Sequence, residues 1–314
     1  MRTPAVTVVI PAFNAERHIA EALGSVRDQT LRELEVLVVD DGSTDGTVRE
    51  VERFFTDDLD LTIVSQTNAG PAAARNAGIR RARGRYCAFL DADDVMLPER
   101  LAVQVELLDA EADLGLVHTD LMTFDERGII HRTRRAFSDP CGGMVLDRLL
   151  LDNFITTSTV MAPTERLVEA GMFGEGRRVS EDFELWLRMA ARWRVGFVDR
   201  PLVQYRRRRG SLSDDKLVTA RCALDVVETF WREHPQHRRS RPRVYRTSLA
   251  EHLATAGAAA YAEGSRAGAL GYLVQSLWQD PSRRRAWKSL AKALVRPVRL
   301  PPDPRASVGS AGSP

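Results

Sequence analysis

The 314-residue chain is predicted to be an α/β protein with a mainly parallel sheet flanked by helices, followed by a smaller α-helical C-terminal region. Three observations lead there. Short apolar, β-rich runs alternate with helical patterns through the first 120 residues, and that alternation implies parallel strands covered on both faces. Two of the strand-like runs end abruptly in carboxylates, as in "CAFLDADDVML" (87–97), which places polar chemistry where such sheets bind ligands. After residue 213 the strand patterns give way to Ala-rich helical ones.

Taken in order, "VTVVI" (6–10) is the first strand, followed by a helix whose Ile19, Leu23 and Val26 share one face. "LEVLVV" (34–39) is the second, and Val48, Val51, Phe54 and Phe55 mark the helix behind it. "LTIV" (61–64) precedes a helix opened by Pro71, and "RYCAFL" (85–90) precedes one opened by Pro98, both prolines suiting a first helical turn. "LGLVH" (114–118) is the fifth strand. A polar loop (125–140), a strand-like "ITTSTVMA" (155–162), a helix near "SEDFELWLRMA" (180–190) and a short strand "VGFVD" (195–199) follow. "YAEGSRAGALGYLVQSLWQDP" has the pattern of a helical hairpin of tetratricopeptide type, and the Pro-, Gly- and Ser-containing tail is expected to be disordered. The expected divisions are 1–213, 214–296 and 297–314.

With 44% apolar residues the chain can bury a core, and no apolar run approaches the roughly 20 residues that span a bilayer. No signal-peptide layout precedes the first strand, so the expected location is the cytoplasm. Three cysteines without a C-x-x-C pair fit reduced structural thiols. Charge is divided unevenly. Residues 1–200 hold 24 Lys/Arg against 34 Asp/Glu, and residues 201–314 hold 21 against 9. A basic half can attract anionic lipid, phosphorylated acceptors or nucleic acid, although no nucleic-acid-binding module is recognisable.

In a parallel sheet the carboxyl ends of the strands lie along one edge. "VVDDGSTDGT" and "FLDADD" therefore bring Asp40, Asp41, Asp91 and Asp93 to that edge. Like charges so close repel unless water or a cation compensates them. Asp91 and Asp93 can offer oxygens to magnesium or manganese, which commonly bridges carboxylates to substrate phosphates and stabilises a diphosphate leaving group. Alone, D-x-D and "DDGS" are ordinary turn sequences; their joint placement gives them weight. No G-x-G-x-x-G, Walker A or H-E-x-x-H pattern competes, and His234 and His237 read as surface histidines.

"VTVVIPAFNAERHIAEALGSVRDQT", "LEVLVVDDGSTDGT", "NAGPAAARNAGIRRARGRYCAFLDADDVMLPERL" and "SEDFELWLR" together resemble the successive signatures of inverting family 2 glycosyltransferases, which have the type A nucleotide-sugar-binding fold. The resemblance covers residues 5–105 strongly and extends to about 213. It implies transfer of a sugar from a nucleotide diphosphate sugar to a hydroxyl acceptor, in polysaccharide or glycolipid synthesis, with a divalent cation. It further implies that Pro11, Ala12, Phe13 and Asn14 line the nucleotide pocket and that Asp40 and Asp41 contact base and ribose. Arg75 lies near the nucleotide or its phosphates, unless it is a surface helix arginine. Asp91 and Ala92 face the ribose or a metal-bound water, Asp93 is the main metal ligand and Asp94 supports the turn. Glu181 and Asp182 supply the base, Asp182 being the choice, although acidic residues in a first helical turn are also favoured by the helix dipole. Trp186 reads as core.

One departure stands out. Relatives often carry Y-R-x-H where this chain has Tyr205, Arg206, Arg207 and Arg208, and arginine cannot ligate a cation. Arg208 is expected to bind the diphosphate, with Arg206 to Arg209 as a lid, or else to sit in a solvated loop. The missing histidine leaves a second reading, a catalytically silent nucleotide-sugar-binding scaffold. Near the C-terminus, "PSRRRAWKSLAKALVRPVR" sets Trp287, Leu290, Ala291, Leu294 and Val295 against Arg283, Arg284, Arg285, Lys288, Lys292, Arg296 and Arg299. That pattern suits a helix on an anionic membrane surface, or a last helix docked by its stripe, the commoner case.

Overall fold

The computed structural model describes residues 4–54, 59–136, 138–177, 179–208 and 215–295. Phe55, Arg209, Ser211, Ser213, Arg296, Arg299 and the tail expected to be disordered lie outside them. The chain forms two compact units, 1–212 and 213–314.

The first unit opens with β1 (Val6–Ala12), α1 (Ile19–Arg27), β2 (Leu34–Asp40), α2 (Thr47–Glu52), β3 (Asp60–Ser65), α3 (Pro71–Arg81) and β4 (Tyr86–Phe89). β5 (Val95–Met96), α4 (Arg100–Ala110), β6 (Leu114–Asp125), β7 (Gly128–His131), α5 (Leu146–Leu149) and β8 (Met161–Pro163) follow. α6 (Thr164–Glu169), α7 (Glu181–Ala190) and β9 (Arg194–Arg206) complete it. The sheet order is β3-β2-β1-β4-β8-β6-β9-β5, with β7 paired to β6. Pairing is parallel from β3 through β4; β8 then runs antiparallel to both of its neighbours, and β6 and β9 are parallel again.

The apolar runs explain the central strands. Val6, Val8, Val9 and Ile10 of β1 are fully buried, as expected of a strand covered on both faces. Ile19, Leu23 and Val26 of α1 pack into the same core. Because β1 lies between β2 and β4, with Ala12 opposite Asp40, the acidic ends of β2 and β4 flank the end of β1. α3 lies close over β1 because Gly78 faces Val9, where any Cβ would collide with the valine side chain.

Four local expectations are corrected. α4 begins at Arg100, so Pro98 belongs to the turn before it. The polar loop contains β7, a hairpin on β6. "VGFVD" is only the start of β9, which runs thirteen residues and accommodates Pro201 opposite Asp120, where the β6–β9 register shifts. "ITTSTVMA" is mostly not a strand: 157–159 form a 3₁₀ turn. The Thr159 hydroxyl donates to the Thr156 carbonyl, a local bond that competes with strand pairing.

The second unit is helical: α8 (Lys216–Glu233), α9 (Pro235–Ser240), α10 (Pro242–Ala262), α11 (Arg266–Gln279) and α12 (Arg284–Val295). The hairpin reading of α10 and α11 holds, with Gly264 at φ +95° between them, a conformation that favours glycine. Among the described residues no helix is long and apolar enough to cross a membrane.

Candidate active site

The loops after β1 and β2 are stitched together. Asn14, left-handed at φ +50°, accepts from the Thr44 amide at 2.9 Å, and its own amide donates to the Ser43 hydroxyl at 3.0 Å. Phe13 stands half-exposed on this rim, whereas the Ala12 methyl is buried. Asp40 accepts from the Ser43 amide at 3.1 Å. Asp41 accepts three bonds at 2.8 Å, from the Gln66 side chain and the Ala69 and Gly70 amides. Asp41 thereby fixes the turn that starts α3, the helix that carries Arg75.

Past β4, the aspartates divide their duties. Asp94 is buried; it accepts from the Ser158 hydroxyl at 2.6 Å and from the Arg206 amide at 2.8 Å. Burial first, then the charges of Asp91 and Asp93, push its carboxyl well above the usual carboxylate range. The same Ser158 oxygen accepts from the Asp91 amide, so one hydroxyl shapes both ends of the acidic turn. Asp93 meets the Arg208 guanidinium at 2.5 Å, and its carbonyl accepts from Arg206 Nε at 2.8 Å. His18 lies within electrostatic reach; burial and Arg206 lower its pKa, with Asp93 opposing.

Arg75 joins the two sequence-distant acidic motifs. It is 5% exposed, and its two terminal nitrogens donate at 2.7 Å to Asp91 and at 2.7 Å to Glu181. The guanidinium also lies over the Phe173 ring at 5.4 Å. Burial works against its charge, but Asp91 and Glu181 outweigh that penalty and raise its pKa. The expectation of a surface arginine is therefore overturned. Glu181 and Asp182 open α7 behind Ser180, which is held left-handed at φ 66°. Such strain in a non-glycine residue is stored where surrounding contacts enforce it. Asp182 accepts from the Phe183 amide at 2.6 Å and from the Thr157 hydroxyl at 3.1 Å. Its pKa is raised to about 6, by burial first and by the Glu181 charge second, with Arg75 and the two hydrogen bonds countering. Trp186 is core, packed with Phe89 and Phe173.

A family model, Glycosyl transferase family 2, matches residues 7–171, more than half of the chain, from the second residue of β1 through α6. The chain belongs to this family. An uncharacterised glycosyltransferase of Rickettsia felis is 34% identical over 202 residues, 64% of this chain; the chain spans only 33% of that relative's length. Among solved structures, Staphylococcus aureus TarS 1–349 in complex with UDP-GlcNAc aligns with a TM-score of 0.61 at 19% identity, covering 92% of this chain and 90% of the other. The mannosyltransferase PcManGT of Pyrobaculum calidifontis, in complex with GDP-Man and Mn2+, gives 0.59 at 23%, covering 94% and 88%. At these identities the structural likeness speaks for the fold, the type A fold with its helical C-terminal region.

For this family 2 member the acidic edge can be tested against a divalent cation. Asp91 and Asp93 supply hard oxygen donors two residues apart, but each gives one oxygen to an arginine. Among the described residues no group of three or more His, Cys, Asp or Glu gathers as a metal site. These two carboxylates would be the residues to hold a divalent cation, supplying hard oxygen donors of the kind magnesium takes. Arg208 stands on Asp93 as a competing charge. Arg206 is no lid: it ends β9, contacts Glu21, lies over Phe124 at 4.3 Å and is fastened to the acidic turn. Ala92, expected to face the donor, is buried in the core cluster. The sequence reading missed Ser158 and Thr157, whose hydroxyls order the two acidic motifs. Their only signal was a run of four hydroxyl residues, "TTST", in a stretch that otherwise reads as strand.

Proposed function

We propose that this family 2 chain is an inverting glycosyltransferase that moves a sugar from a nucleotide diphosphate sugar to a hydroxyl acceptor, with Asp182 as the base. The supporting observation is the Arg75 bridge between Asp91 and Glu181, which ties the candidate donor edge to the residue beside a carboxylate with pKa about 6. In this reading Asp182 takes the proton from the acceptor hydroxyl, whose oxygen bonds the anomeric carbon as the bond from that carbon to the diphosphate breaks on the opposite face. Phe13, Asn14 and Asp40 form the rim for base and ribose, and Arg75 keeps Asp91 and the Glu181–Asp182 turn in register. Asp91 and Asp93 would hold magnesium or manganese, which when bound supplies charge stabilisation to the departing diphosphate. The nucleotide sugars and Mn2+ named with TarS and PcManGT are in keeping with such a donor. In this reading the Arg208 guanidinium, paired with Asp93, would exchange that carboxylate for a donor phosphate.

Calorimetry with a panel of nucleoside diphosphates, with and without manganese, tests the donor site. Wild type should bind one of them in a manganese-dependent way, and Asp93→Ala should lose that dependence. Binding indifferent to both metal and substitution would remove the acidic edge from the mechanism. The base assignment also sets a pH profile. A base must be ionised to work, so kcat/KM should rise with pH and reach half its plateau near pH 6, from the raised Asp182 value. A profile flat from pH 5 to 8 would exclude Asp182 as the titrating base.

A further inference from the structure

α12 docks as expected, but of the expected stripe only Leu290 packs inward. Ala286, Leu290 and Ala293 pack against Ala254, Leu273 and Leu277, while Trp287, Leu294 and Val295 of the expected stripe remain exposed. On α11, Val274 and Trp278 are exposed one turn apart, and Trp278 is 81% exposed. Arg285 reaches Glu251 at 2.9 Å and Lys292 lies over the Tyr261 ring, which turns that flank of α12 towards α10. Trp287 and Leu294 occupy the opposite flank, towards α11, whose Arg266 donates to the Leu294 carbonyl. An apolar seam with two indoles at its hairpin end results.

Cations adjoin that end. The Trp287 indole N–H donates at 2.8 Å to the Pro281 carbonyl, and Pro281 helps wall an open cavity of about 610 Å³. Five arginines line the cavity: Arg243, Arg246, Arg283, Arg284 and Arg285. Glu251 engages Arg283 and Arg285, and the charge of Asp280 lies near Arg243. Among the described residues, Arg246 and Arg284 have no carboxylate partner. α12 itself contains no Asp or Glu.

We propose that the α11–α12 face, together with the adjoining start of α10, docks on an anionic lipid bilayer, with Trp278 and Trp287 entering the interface and Arg246 of α10 and Arg284 binding lipid phosphates. An exposed apolar patch rimmed by charge marks an interaction surface. Indoles favour the boundary between hydrocarbon and water, and anionic head groups attract adjacent cations. A second copy of the chain is a poor occupant, because pairing these faces would bring like charges together. This inference stands apart from the reading of the acidic edge.

Flotation of the full chain with vesicles tests it. Wild type should bind vesicles containing phosphatidylglycerol, release them at high salt and ignore pure phosphatidylcholine; its tryptophan emission should shift to the blue on binding. Arg246→Gln with Arg284→Gln should weaken binding about 30-fold, from roughly five-fold per cation lost at the surface. Trp278→Ser with Trp287→Ser should abolish the emission shift. All four side chains are exposed, so the fold should survive, which circular dichroism checks. Failure of wild type to float, equal binding to both lipids, or unchanged binding by both double variants would overturn the proposal. So would concentration-dependent self-association of wild type that buries these tryptophans without lipid.

Discussion

Asp182→Asn is expected to lower sugar transfer by about 100- to 10,000-fold, the range for losing a general base, while nucleotide binding stays near the wild-type level. The substitution keeps the shape of the site. An asparagine carbonyl can still accept from the Phe183 amide, and the Thr157 hydroxyl can turn to accept from the new amide. Stability should move the other way. The folded-state pKa of about 6 lies above the ordinary 3.8, so the ionised form is the one that folding disfavours. Wild type should therefore lose stability relative to the variant as pH rises from about 4 through about 6, as measured by denaturant unfolding across that range. Loss of transfer without loss of stability would show that this carboxylate is retained for chemistry. If instead wild type and variant share equal, near-zero transfer with intact donor binding, the silent scaffold is the better reading.

Arg75→Ala should cost about 3–5 kcal/mol of unfolding free energy, the range for removing one partner of a buried ion pair. The guanidinium is 5% exposed and holds Asp91 and Glu181 at once. Its removal leaves two carboxylates without their shared cation, each partly withdrawn from water. Arg75→Lys should recover only part of the loss, because an ammonium is a point charge and cannot span both acids with two planar donors. A second consequence separates electrostatics from packing. Arg75 lowers the Asp182 pKa, so in either variant any residual activity that depends on that base should show a pH midpoint above the wild-type value near 6. With lysine retaining the charge, the upward shift should be smaller than with alanine. A stability loss under 1 kcal/mol for alanine would mean that water already solvates both carboxylates.

Much of the first unit was legible because its signals are local. The valine-rich runs of β1 and β2, the proline that opens α3 and the acidic start of α7 each depend on neighbours within a few residues. Topology then carried Asp40 and Asp91 to the same edge, since parallel strands on either side of β1 must end there together. β9 was underestimated because its second half is polar and proline-containing. Its pairing is supplied by β6 and β5, which lie about eighty and about a hundred residues away. The stretch that reads as strand before β8 became a turn because hydroxyls satisfied locally no longer require a ladder.

The residue types at the acidic edge and at the head of α7 were thus determined by the sequence, as were the strands and helices that present them. Only the tertiary structure decided that Arg75 is buried between Asp91 and Glu181, sixteen and 106 positions away, and that Ser158 serves two aspartates at once. It also decided which flank of α12 is covered, since Trp287 and Ala286 are adjacent in sequence but point to opposite fates. The physical reason is common to all three. A side chain's polarity and period are properties of its own segment, whereas its burial, its ion partners and the pKa of the acid beside it depend on what the rest of the chain brings within a few ångströms.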